Sequence, residues 1–130
     1  MSDFLYHLSS ASKASSNFVI HPPPSGLSYM PFQEAAIEYA LTSNNSCIYF
    51  GDEPGLGKTI QVLGYMNATC PSRTLIVAPA SLLYNWQAEC EKWLTYQSSI
   101  EVFSRSLQFR QKDFRIGLVS YSLLSNFDFM

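Results

Sequence analysis

A three-layer α/β fold on a mostly parallel sheet is the architecture this sequence predicts, and three features point to it. Short apolar runs alternate with segments of helical periodicity, the order that lays helices over parallel strands. The run Thr74-Leu75-Ile76-Val77-Ala78 is β-branched and apolar on both faces, as an interior parallel strand should be. A glycine-bearing loop, Gly51 to Gly57, joins an apolar run to a helix-like segment.

Residues 1–28 read as a loosely ordered lead-in, with seven serines before Gly26 and a Pro22-Pro23-Pro24 spacer. Sequence suited to a packed domain begins at Tyr29 and continues to residue 130. Pro31 suits the first turn of a helix, where its missing N–H costs nothing. Ala36, Ile37, Ala40 and Leu41 share one face of that helix, which runs to about Thr42. Ser43-Asn44-Asn45 is a turn, and Cys47-Ile48-Tyr49-Phe50 reads as a short buried strand. Lys58 to about Asn67 is helical, with Ile60, Leu63 and Gly64 facing inward. After the Pro71-Ser72 break comes the strand Thr74–Ala78, and Pro79 and Ser81 introduce a helix with Ser81 as N-cap. In it Leu83, Trp86, Cys90, Trp93 and Leu94 recur at helical spacing, while Asn85, Glu89 and Lys92 face away. Ile100–Phe103 and Ile116–Val119 supply two further strands, with Arg105, Arg110, Lys112 and Arg115 between or beside them.

With 130 residues, the chain has room for one domain with a real core. Its 47% hydrophobic content excludes disorder throughout. No apolar run approaches the ~18–20 residues of a membrane span. Met1 to Ser16 lacks the basic head and apolar stretch of a signal peptide, so an intracellular protein, cytoplasmic or nuclear, is expected. A net charge of −2 means that any nucleic-acid contact must use a local patch. Cys47, Cys70 and Cys90 are widely spaced, without C-x-x-C, and read as idle or buried thiols in a reducing compartment. His7 and His21 give no metal constellation.

The segment with chemistry in it is Gly51-Asp52-Glu53-Pro54-Gly55-Leu56-Gly57-Lys58-Thr59, at a predicted strand–helix junction. That context is what a phosphate loop requires. Gly55 and Gly57 let the backbone adopt conformations other residues avoid and approach a ligand closely. Successive N–H groups and the positive end of the helix form a cradle for phosphate oxygens. Lys58 can reach the β- and γ-phosphates, and Thr59 places a hydroxyl where Mg²⁺ would bind. The strict pattern has glycine six residues before the lysine, where this chain has Asp52. An ordinary glycine turn with an exposed lysine is the plain alternative, and it leaves the strand–helix setting unexplained.

Asp52-Glu53-Pro54-Gly55-Leu56-Gly57-Lys58-Thr59-Ile60-Gln61 closely resembles motif I of the Swi/Snf-type DNA translocases of helicase superfamily two. Aspartate at the first loop position is usual there, and Pro54 in place of the more common Met would stiffen the loop. Tyr29-Met30-Pro31-Phe32-Gln33 is similar to the family's adenine-recognition motif. Leu75 to Trp86 is similar to motif Ia and its helix, and Val119 to Leu124 more weakly to motif Ib. The resemblance covers Tyr29 to about Leu124.

It implies an incomplete RecA-like P-loop domain that binds ATP and Mg²⁺. Gln33, Asp52, Glu53, Pro54, Gly55, Leu56, Gly57, Lys58 and Thr59 would contact the nucleotide, with Thr59 on the metal. Pro79, Ala80, Ser81, Ser120 and Tyr121 would lie along DNA, which is duplex in the complete motor. Simpler roles stand beside these: Gln33 as a solvated side chain, Ser81 as a helix cap, Trp86 and Trp93 as core, and the basic residues from Arg105 to Arg115 as a solvated loop. Hydrolysis further needs carboxylates for Mg²⁺ and water, and arginine fingers. The family's Asp-Glu-x-His segment is not found at the end of any predicted strand, and Asp128 has no apolar run before it. The expectation is therefore the front part of a motor, unable to hydrolyse ATP efficiently alone, with a second polypeptide as the candidate carrier of the remaining motifs. A non-catalytic nucleotide-binding or interaction module is the alternative. A small P-loop kinase is a third reading, against which Gln33 and Pro79-Ala80-Ser81 argue.

Overall fold

The computed structural model describes residues 20–104 and 113–126. The chain divides into two compact units, residues 1–69 with 93–95, and residues 70–92 with 96–130.

In the first unit the chain enters through a turn in which the Leu27 N–H donates to the Pro24 carbonyl at 3.1 Å. Gly26, third in that turn, has φ +85°, the value a type II turn demands there. Helix α1 spans Pro31–Thr42, as the sequence predicts, with Pro31 in its first turn. Ala35, Ala36, Ile37 and Ala40 are buried on one face. The Ser43 N–H closes its end on the Tyr39 carbonyl at 2.9 Å. Helix α2 spans Lys58–Thr69 and buries Gln61, Leu63, Gly64, Met66 and Asn67. At Gly64 α1 and α2 pack closely: a Cβ there would overlap Ile37, which is itself fully buried.

Asn67 joins three segments of this unit. Its Nδ2 donates to the Trp93 carbonyl at 2.9 Å and to the Tyr29 hydroxyl at 3.2 Å. Its Oδ1 accepts from the Thr95 N–H at 2.9 Å and the Thr95 hydroxyl at 3.2 Å. The Tyr29 ring lies stacked on Trp93 with centroids 5.9 Å apart, so Trp93 is a core residue. Burial pushes the Tyr29 hydroxyl's pKa up, and the bond to Asn67 offsets part of that. Removing a buried partner leaves the other groups desolvated and unpaired, at about 1–3 kcal/mol. Asn67→Ala is therefore expected to lower stability by about 2 kcal/mol in urea denaturation.

The second unit is built on three strands, β1 (Thr74–Ala78), β2 (Ile100–Val102) and β3 (Ile116–Ser120). All pairings are parallel, in the order β1-β3-β2, and this is the expected α/β class. Thr74 pairs with Ile116 and Ala78 with Ser120, while Ile100 also pairs with Ile116. The interior strand is β3, with all five residues buried, and not β1, whose Leu75 and Val77 stay half-buried. Central position follows from having a ladder on both sides, which composition alone does not fix. A short 3₁₀ turn, Ala80–Leu82, leads into helix α3, Leu83–Trp93. Pro79, extended at φ −55° and ψ 143°, precedes that turn, and Ser81 lies exposed within it instead of capping α3. Leu83, Cys90 and Trp93 are buried along α3, and Asn85 and Lys92 are exposed, as the spacing predicts. Trp86, expected inside, and Glu89, expected outside, are both half-buried. A last helix, α4, covers Tyr121–Leu124.

Cys47–Phe50 is not a strand: Cys47 and Tyr49 are exposed, and no described strand pairs with the run. An apolar run becomes a strand only when a neighbour takes up its N–H and C=O groups.

Candidate functional site

The glycine loop lies wholly in the first unit and shows why each residue type stands where it does. Its middle is a turn, Glu53 to Leu56, closed by the Leu56 N–H on the Glu53 carbonyl at 3.4 Å. Pro54 presets the second position, and Gly55, at φ +88°, takes the third, which needs a positive φ. Gly51, Glu53, Pro54, Gly55 and Leu56 are all exposed, so this arc of backbone is open to a ligand.

Gly57 carries a second left-handed turn, at φ +79°. A Cβ on it would stand 2.5 Å from Gln33 Nε2. Conformation and space thus both require glycine. Lys58 follows as the first residue of α2, with Thr59 next, both half-buried. The first helical bond runs from the Gln61 N–H to the Gly57 carbonyl at 3.2 Å. The N–H groups of Lys58, Thr59 and Ile60 therefore precede the helical ladder and have no partner within it. Donors of that kind at a helix N-terminus suit a phosphate.

Lys58 extends back along the loop, its ammonium donating to the Asp52 carbonyl at 2.7 Å. The Asp52 carboxylate accepts from Gln61 Nε2. Gln33 is not a solvated side chain. It is 4% exposed, its Oε1 accepts from the Met30 N–H at 2.9 Å, and its Nε2 donates to the Leu56 carbonyl at 3.2 Å. One amide thus caps α1 and anchors the far end of the loop. The structure forms two bonded groups, Gln33 with Leu56, and Asp52 with Lys58 and Gln61, joined through the loop backbone at Leu56–Gly57. The sequence reading assigned Gln61 no role, although it lies three residues beyond Lys58 and so on the same helix face.

The remaining candidates belong to the second unit. Register places Ala78 beside Ser120, so Pro79-Ala80-Ser81 and Tyr121 leave the same end of the sheet from adjacent strands. Pro79, Ala80 and Ser81 are exposed, and Tyr121 is 62% exposed. Ser120 is buried, and its Oγ caps α4 by accepting from the Leu123 N–H at 3.2 Å.

Arg115 is not a solvated residue of a basic loop. Its guanidinium donates to the Pro71 carbonyl at 3.1 Å and to Cys70 Sγ at 3.0 Å, and lies 4.1 Å over the Tyr96 ring. Arg105, Arg110, Lys112 and Asp128 lie outside the described residues, as does residue 1–19 of the expected lead-in. Among the cysteines, Cys90 is buried and its thiol is pushed up to about 11, first by burial and then by Glu91 and Glu89. Cys47 and Cys70 are exposed. No group of three or more His, Cys, Asp or Glu residues suited to a metal occurs among the described residues. No helix among them is long and apolar enough to cross a membrane.

Comparison with known proteins gives a match to the SNF2-related domain over residues 4–126. The chain is 43% identical over 76 residues to the DNA annealing helicase and endonuclease ZRANB3 of Homo sapiens, covering 56% of this chain and 7% of that protein. It is 33% identical over 94 residues to Helicase SWR1 of Cryptococcus neoformans, covering 67% of this chain and 7% of the relative. It is 34% identical over 113 residues to Protein CHROMATIN REMODELING 19 of Arabidopsis thaliana, covering 72% of this chain and 15% of the relative. The chain thus spans a small fraction of the length of these relatives.

Proposed function

Because the chain belongs to the SNF2-related, Swi/Snf-type helicase family, we propose that it supplies the ATP-binding part of a DNA-dependent motor. The observation that carries this reading is the loop itself. Two left-handed glycines, Gly55 and Gly57, lead into a helix headed by Lys58 and Thr59. An exposed arc of backbone, free helical N–H donors and one ammonium group make a donor set suited to a triphosphate. Bound ATP with Mg²⁺ would place a high-energy phosphate in that arc. Lys58 would then exchange the Asp52 carbonyl for phosphate oxygens, and the Thr59 hydroxyl would take a position on the metal. Gln33, fixed between Met30 and Leu56, would hold the adenine side of the site in a set relation to the loop.

DNA is the proposed partner, met at Pro79, Ala80, Ser81 and Tyr121, with Ser120 fixing the start of α4 behind Tyr121. Turnover requires carboxylates on the metal and arginines on the transferring phosphate. Those groups are proposed to come from outside the described residues, on this protein or on a second polypeptide.

The test has two stages. Binding of a fluorescent ATP analogue with Mg²⁺ to the 130-residue chain is expected to saturate and to be competed by ATP. Phosphate release is then measured with and without duplex DNA, for this chain alone and together with the remaining motor segments of a family member. DNA-stimulated release only in the combined sample supports the motor reading. Binding with no release in either sample would replace it with a non-catalytic nucleotide-binding module.

A further inference from the structure

Asp52 is held twice by α2. Its carbonyl receives the Lys58 ammonium at 2.7 Å, and its carboxylate receives the side-chain amide of Gln61. The two bonds have different fates if a nucleotide arrives, because Lys58 is the group a phosphate would claim. The Gln61 bond is then what remains on the loop's first residue.

Packing does not replace it. Beside Asp52 lies a small cavity lined by Ala36, Tyr39, Tyr49, Phe50, Gly51 and Gln61, so packing around the start of the loop is incomplete. Gln61 is also a poor choice for a residue that only fills space. It is fully buried, and its Oε1 has no hydrogen-bond partner among the described residues. An orphaned buried acceptor opposes folding, and an apolar side chain of similar length would avoid it. The amide's contribution is its grip on Asp52.

We propose that Gln61 is a positioning residue for the nucleotide: its hold on the Asp52 carboxylate keeps the loop's first residue fixed to α2 when Lys58 moves to a phosphate. The inference rests on the ATP-binding reading above. It adds to that reading a residue that touches no ligand.

The 130-residue chain and its variants are titrated with the fluorescent analogue mant-ATP and Mg²⁺, and melting is followed in parallel. Gln61→Met is expected to weaken binding by about tenfold, the worth of one well-placed hydrogen bond. Its melting temperature should change little, since the orphaned acceptor leaves with the bond while the half-buried Asp52 carboxylate loses a donor. Asp52→Ala should lose a similar factor, and Asp52→Asn should recover most of it, because the amide oxygen still accepts from Gln61. The double variant Asp52→Ala/Gln61→Met should bind no worse than either single one, as coupled residues do.

Unchanged affinity in Gln61→Met, or additive losses in the double variant, would overturn the proposal. Should Gln61→Met unfold, the Asp52 pair decides alone, since Asp52 sits on a half-buried loop position. Lys58→Ala separates the two levels. If it binds as the unaltered chain does, the phosphate-loop reading fails and takes this inference with it. If it loses binding while Gln61→Met retains it, the role of Gln61 alone is refuted.

Discussion

Replacing Lys58 with alanine is expected to weaken Mg-ATP binding by at least about a hundredfold, roughly 2.7 kcal/mol, while the fold is nearly unaffected. The asymmetry has a physical source. Lys58 opens α2, where the helix already presents its positive pole, so a cation there opposes the dipole by about 0.3–1 kcal/mol. In the structure this is offset by the bond to the Asp52 carbonyl at 2.7 Å. Alanine removes both terms, and it is the better helix former. A triphosphate has no such compensation, because charge-assisted bonds to its oxygens are lost with nothing in exchange. Isothermal titration gives the affinity and thermal melting the stability. An affinity unchanged by the substitution would remove the assignment of this loop to phosphate.

The second large effect concerns stability. Gly117→Val is expected to cost about 3 kcal/mol or more and to abolish cooperative unfolding at moderate denaturant. On propensity alone valine should improve a strand. The surroundings reverse that. A Cβ on Gly117 would stand 2.7 Å from Phe114 Cε2, 2.8 Å from Phe103 Cε2 and 3.2 Å from Leu75 Cδ1. The two phenylalanine rings pack edge to face with centroids 5.0 Å apart and are 3% and 2% exposed. The Arg73 guanidinium lies 4.2 Å from the Phe114 ring centre, which further restricts its retreat. Nor can the backbone yield, since Gly117 pairs with Leu75 on one side and Glu101 on the other. Equilibrium unfolding in guanidinium, read by near-ultraviolet circular dichroism, checks the result. A loss below about 1 kcal/mol would mean that the ring pair can open.

Local chemistry made much of this legible in advance. Pro31 and the Ala36–Ile37–Ala40 spacing give α1, and the glycines before Lys58 mark the start of α2, because both signals act within one turn of backbone. Thr74–Ala78 has strand composition and also finds in β3 the parallel neighbour that a strand needs. What the residues could not disclose was decided at a distance. Cys47–Phe50 has strand composition but no hydrogen-bonding neighbour among the described strands. β3 became central through pairing on both sides, which Gly117, reading as a weak strand residue, does not advertise. At the site, the loop residues were identifiable from their types. The commitments of Gln33 and Gln61 were not, since an amide on a helix looks alike whether it meets water or a loop carbonyl 23 residues away. Arg115 escaped for a similar reason: its charge suggested a solvated loop, whereas its guanidinium is occupied by backbone carbonyls and a thiol.

The four bonds of Asn67 have a consequence for the order in which the first unit can form. They close intervals of 26 to 38 residues, so the chain must be made well past the glycine loop before this junction can shut. During synthesis the helices flanking the loop would emerge before Trp93 and Thr95. A cleavage after Thr69 would leave them without the Asn67 bonds to Trp93 and Thr95. The unit that carries the glycine loop is thus completed by Trp93–Thr95, a short stretch far along the chain from the loop itself.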